Sequence, residues 1–387
     1  MRVSSSGFSL VDGGPLCALM RHFGWTLPNG RIDYTRASIV AVAVAWGPLL
    51  VATLAARVMT GHFAKIDWGV QARLLVAIPL LLRADASLHT RTRFVVDQFV
   101  ADRWAASQAE RFDGLVASGI RHRDAVLPEV LLLGLALLAS QFVVWNLGGV
   151  PIAGRLFAMD PHMVAARWWY ALVGLPLFQF LVYRALWRWA IWVQMLWRIS
   201  RLSLQPMATH PDLAGGLGFL SWPSLGFAHV IAALSATQAG VWADQVLYAG
   251  LKVTQLKSQA GVFAGAAIVL TLGPLLVLSG RLWRCKMEGQ HEYDSLAVDY
   301  TRLFHQRWIA RRERDDVLGS ADIQSLADLG NSCEVITKMR PVPFGPLLVA
   351  LLAAAALLPM IPLILLRLSL MELLLKVGGA VLGKGPG

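Results

Sequence analysis

Six stretches of the chain are apolar over the roughly 20 residues that a helix needs to cross a hydrocarbon core. They are Ala37–Ala56, Val126–Leu147, Trp168–Leu186, Leu225–Leu247, Val262–Leu282 and Gly345–Leu366. A seventh, Trp68–Leu82, is shorter and carries Arg73. Between the apolar stretches the period changes. Val96, Val100 and Trp104 recur every four residues, with Val95 and Phe99 beside them, and Tyr293, Ala297, Tyr300 and Phe304 step by four, three and four. Such spacing predicts amphipathic helices with one apolar face each. The two polar loops that contain them are expected to pack together as one helical layer, burying Trp104, Tyr300 and Phe304.

The basic residues orient this pattern. With seven spans and the N-terminus inside, 25 Lys/Arg fall in the inside segments and nine in the outside ones, with Arg73 left within the membrane. Such a bias places the basic side in the cytoplasm. The expected organisation is an all-α, polytopic bundle of about seven spans, N-in and C-out. Residues 1–36 form a cytoplasmic tail, 37–83 spans one and two, and 84–125 a cytoplasmic amphipathic loop. Spans three to six follow over 126–283, a second cytoplasmic helical loop over 284–343, span seven over 344–368, and an amphipathic tail over 369–387. Trp187, Trp189, Trp192 and Trp197 interleave with Arg184, Arg188 and Arg198. That reads as an aromatic belt with snorkelling arginines at the cytoplasmic edge.

Composition agrees and excludes alternatives. The 387 residues are 56% hydrophobic and 15% charged, against roughly 45–50% and 25% in soluble domains. A net charge of +11 fits loops facing anionic lipid rather than nucleic acid, because the segment 281–340 sets ten acidic residues against its ten basic ones. The N-terminal stretch has no continuous apolar core of a signal peptide, so the first span is expected to direct insertion. Three scattered cysteines, Cys17, Cys285 and Cys333, imply neither a disulfide framework nor a metal site.

Candidate chemistry is sparse. His210-Pro-Asp-Leu-Ala-Gly-Gly-Leu-Gly-Phe-Leu offers a cation or proton site through His210 and Asp212, beside glycines that let a ligand approach the backbone. The plainer alternative is a tight turn capped by aspartate. Glu288 and His291 have metal-ligand spacing but lack the second half of a di-iron set. Gly378–Lys384 imitates a phosphate-binding loop without its hydroxyl residue. Gly261 and Gly265 have the spacing of a close helix–helix contact. No cofactor or metal is expected. Ionisable residues in lipid are functional candidates by default, which adds Arg73, His229 and Asp244. Arg73 either lines a path or snorkels toward Asp67. Glu129, in the first turn of a helix, is assigned to structure, and Gln141, Asn146 and Gln179 to helix–helix bonding.

The block His210–Leu220, and Ala321-Asp-Ile-Gln-Ser-Leu-Ala-Asp-Leu-Gly-Asn-Ser leading to Met339-Arg-Pro-Val-Pro-Phe344, resemble a group of bacterial multi-pass inner-membrane proteins with no assigned activity. The resemblance implies topology and location and transfers no catalytic residue. With seven spans, polar intramembrane side chains and proline-broken helices, the leading expectation is a channel or transporter for a small solute or ion. The alternative is a membrane-anchored sensor or scaffold whose cytoplasmic layer binds a protein partner, and a third is a membrane-embedded enzyme working through His210 and Asp212. The expected partners are the lipid bilayer, a second copy through small-residue helix faces, and a cytoplasmic protein; nucleic acid is not among them.

Overall fold

Apolar runs of this length leave the backbone no partner but itself, and every long one is a helix. The computed structural model describes residues 8–61, 66–101, 108–146, 164–310 and 321–365. Trp104, the Asn146 side chain and the tail 369–387 with Gly378–Lys384 lie outside what is described.

The helices are α1 (Pro15–His22), α2 (Tyr34–Thr60), α3 (Trp68–Gln71), α4 (Ile78–Ala101), α5 (Ala109–Asp124), α6 (Val126–Asn146), α7 (Val164–Trp169) and α8 (Leu175–Ile199). They continue with α9 (Ser224–Tyr248), α10 (Leu256–Leu272), α11 (Ser279–Phe304), α12 (Ala321–Lys338), α13 (Pro346–Leu357) and α14 (Ile361–Leu365). One-turn π-helices join α3 to α4 (Ala72–Ala77) and α7 to α8 (Tyr170–Gly174). Among the described residues six helices are long and apolar enough to cross a membrane, and each overlaps one of the six longer stretches named above. Trp68–Leu82 is not one of them, although it lies inside the bundle.

The central helix is α9. It packs on α3, the π-turn and α4 along one flank and on α13 along the other, while α8 packs on α4, α5 and α6. Glycine permits the closest approaches. A Cβ on Gly240 would lie 2.5 Å from the Trp68 carbonyl oxygen, and one on Gly226 would lie 2.6 Å from Leu88. Gly261 and Gly265 instead face open space, so the expected close contact there is not made among the described residues. The π-turn at 170–174 frees the Ala171 carbonyl, which accepts from Gln141 Nε2 (3.0 Å) and Ser140 Oγ (3.3 Å) of α6. Gln141 therefore does join two helices. The buried Gln179 Oε1 has no partner among the described residues.

Among the described residues the two polar loops do not merge into one layer. In the first, Val95, Val96 and Phe99 are buried and Val100 is half exposed. Phe99 stacks on Phe112 of α5, and α5 packs on α8. In the second, α11 and α12 form an antiparallel pair that packs chiefly on itself. Tyr300 and Phe304 are half-buried rather than core; Tyr300 Oη donates to the Asp322 carbonyl (3.1 Å) and Trp308 Nε1 to the Asp322 carboxylate (3.1 Å). The expected N-terminal tail is also folded. Phe8, Leu10, Val11, Cys17 and Met20 are buried, and α1 closes one end of the bundle.

Candidate functional site

At the end of the bundle where α8 stops and α9 starts, Asp212 organises the loop. Its Oδ1 accepts from the N–H groups of Ala214 (2.8 Å) and Gly216 (3.0 Å), and its Oδ2 from Gly218 (2.9 Å). Leu213, Gly215 and Gly216 have φ of 57, 65 and 82°, a left-handed run that glycine makes affordable. Burial pushes the Asp212 carboxyl up, but these three donors and His210 (Nδ1 at 2.9 Å from Oδ1) hold it below its ordinary value. The amides that an incoming anion would need are thus already spent on Asp212.

The segment leading through Arg340 clamps this loop. Arg340 donates through Nη2 to the Asp212 carbonyl (2.9 Å) and through its backbone N–H to the Leu213 carbonyl (2.8 Å). Lys286 of α11 holds the carbonyls of Thr337 (2.9 Å) and Met339 (2.8 Å). Between the loop segment 203–209 and α11 lies a cleft of about 650 Å³, with Arg284, Cys285, Glu288, Glu292 and Tyr293 on its helical wall. Cys285 Sγ donates to the Pro206 carbonyl (3.2 Å) and Arg281 to that of Leu202, pinning the two walls together.

No family model, curated protein or solved structure matches the chain. Function must therefore be argued from these contacts.

The remaining candidates lie elsewhere. Asp244 is at the opposite end of α9 and accepts the N–H groups of Trp68 (2.9 Å) and Gly69 (3.0 Å), while Asp67 accepts that of Val70 (2.8 Å). Two carboxylates from different elements thus cap α3. Arg73 lies in the first π-turn and donates from Nη1 to Tyr170 Oη (2.8 Å), at the start of the second. His229 is half-buried on α9 with Nδ1 3.4 Å from the Gly226 carbonyl. The structure brings His210 to Asp212, and it separates that pair from Arg73 and Asp244 by the length of the bundle.

Sequence reasoning missed a buried ionic cluster. Arg184 and Arg188 do not snorkel; they are 1% and 0% exposed. Arg184 pairs with Asp85 and, through Nε, with Glu129 Oε1 (3.1 Å); Arg188 pairs with the same oxygen (2.8 Å). Arg188 also donates to the carbonyls of Arg123 (2.9 Å) and Gly13 (3.2 Å), and Leu16 N–H donates to Glu129 Oε2 (3.1 Å). The cluster joins α4, α6 and α8 to the N-terminal segment. Cys17 packs beside Arg184, and burial raises its thiol pKa despite that guanidinium. The usable signal was two arginines four apart on one helix face, matched in number by the acidic residues Asp85 and Glu129 beside apolar stretches.

Proposed function

We propose that the protein is a membrane-anchored binding module, whose helices fix a cytoplasmic cleft at the surface of the inner membrane for a soluble protein partner. One observation carries this reading: the cleft opens to solvent, and its two walls are pinned together, Cys285 donating to the Pro206 carbonyl (3.2 Å) and Arg281 to that of Leu202. Its helical wall changes sign from Arg284 to Glu288 and Glu292, which suits a segment carrying both charges. The excess of Lys/Arg at this end favours the cytoplasmic side. The buried ionic cluster, which ties α4, α6 and α8 to the N-terminal segment, supports the role of a fixed anchor.

A benzophenone amino acid at Gln205 should cross-link a soluble protein in cells. The adduct should vanish when Glu288→Lys and Glu292→Lys are combined, with the amount of inserted protein unchanged. Proteoliposomes should pass no more ions than empty liposomes.

A channel or transporter is the second reading, and one feature favours it. Arg73 and Tyr170 meet across two π-turns inside the apolar bundle, and such turns frequent functional sites. Ion flux that Arg73→Gln abolishes, with no adduct at Gln205, would overturn the anchored-module reading in favour of this one.

A further inference from the structure

Independently of the cleft, we propose that the groove between α2 and α4 binds one anionic phospholipid, with an acyl chain along α2 and the phosphate on Arg83. The groove encloses about 740 Å³. Ile39, Val42 and Trp46 of α2 form one wall, Pro79 and Arg83 of α4 the other, and Leu27 closes its end. Its α2 wall runs from Tyr34 to Trp46, about 18 Å at helical rise and close to the depth of one leaflet, about half of a 30 Å core. Ile39 is 66% exposed on a helix that is apolar enough to cross a membrane, so hydrocarbon is what this wall meets.

Charge selects the headgroup. Arg83 is exposed at the mouth and makes no hydrogen bond or ion pair among the described residues. The one acidic residue of the groove, Asp33, has its Oδ1 committed to capping α2 through the N–H groups of Thr35 (3.1 Å) and Arg36 (3.0 Å). A phosphodiester satisfies the guanidinium with two oxygens, whereas the positive amine of a zwitterionic headgroup would offset that gain.

Native mass spectrometry of the full chain in detergent tests this, with phosphatidylglycerol and phosphatidylcholine of matched chains and with glycerol 3-phosphate. One phosphatidylglycerol should be retained in preference to phosphatidylcholine. Arg83→Gln should lower that retention about fivefold, Arg83→Lys should keep most of it, and Ala43→Trp, which fills the groove, should release both lipids. Thermal midpoints without added lipid should match wild type for all three variants. Equal retention of the two lipids, or retention indifferent to Arg83→Gln, would overturn the proposal. Displacement by glycerol 3-phosphate would also overturn it, because the site would then read a free phosphate and not a lipid.

Discussion

Replacing Glu129 by glutamine removes one charge and keeps the shape. In the native cluster two arginines face two carboxylates, Asp85 and Glu129, and all four groups are at most 4% exposed. Glutamine leaves one guanidinium charge buried without an anion. Breaking a buried pair in this way costs about 3–5 kcal/mol. The same oxygens also hold the N-terminal segment, because Glu129 Oε2 accepts Leu16 N–H and Arg188 donates to the Gly13 carbonyl. Loss should therefore appear first as release of α1. Cys17, 1% exposed, reports that release by maleimide labelling in a Cys285→Ser, Cys333→Ser background. Glu129→Gln should label several-fold faster and unfold at lower denaturant in mixed micelles. Adding Arg188→Met removes the unmatched charge and leaves Arg184 with Asp85, so the double variant should regain about 1–3 kcal/mol of coupling. If Glu129→Gln leaves both labelling and unfolding unchanged, the cluster does not hold the N-terminal segment and the reasoning fails.

Three other outcomes follow from the same contacts. The depressed Asp212 pKa means that its carboxylate supports the loop fully above its ordinary value of 3.8 and loses that support as pH falls through the lower folded value; pepsin cleavage within 207–218 should rise steeply in that range, and Asp212→Asn should flatten the rise. Gly240→Ala should cost about 1–3 kcal/mol of overpacking, read as a lower unfolding midpoint, because its Cβ meets the Trp68 carbonyl at 2.5 Å. Tyr300→Ala with Phe304→Ala should weaken the α11–α12 pair by about 1–2 kcal/mol per half-buried ring, seen as faster proteolysis of 321–338 while the apolar bundle unfolds as in wild type.

The helices and their apolar stretches were legible because each depends on the chain's own sequence: an unbroken apolar run must satisfy its backbone internally, and a four-residue step makes one apolar face. The stripe Tyr293, Ala297, Tyr300, Phe304 worked for the same reason. What those faces meet is not a local property. Val95 and Phe99 turned toward α5, α12 took the face of α11, and no shared layer formed. Small residues show the same limit: Gly261 and Gly265 had the right spacing and face open space, while Gly226 and Gly240, isolated in sequence, sit where α4 and α3 cross α9. His210 and Asp212 could be paired from sequence because they are two residues apart, but the clamp by Arg340 spans 128 positions. Arg184 gave the clearest error. Beside tryptophans at the end of an apolar stretch it has every local mark of a snorkelling side chain, and a charge near lipid reaches for water when nothing nearer neutralises it. Asp85 and Glu129, 99 and 55 residues away, are nearer. Only the packing of three helices decides that an arginine stays inside.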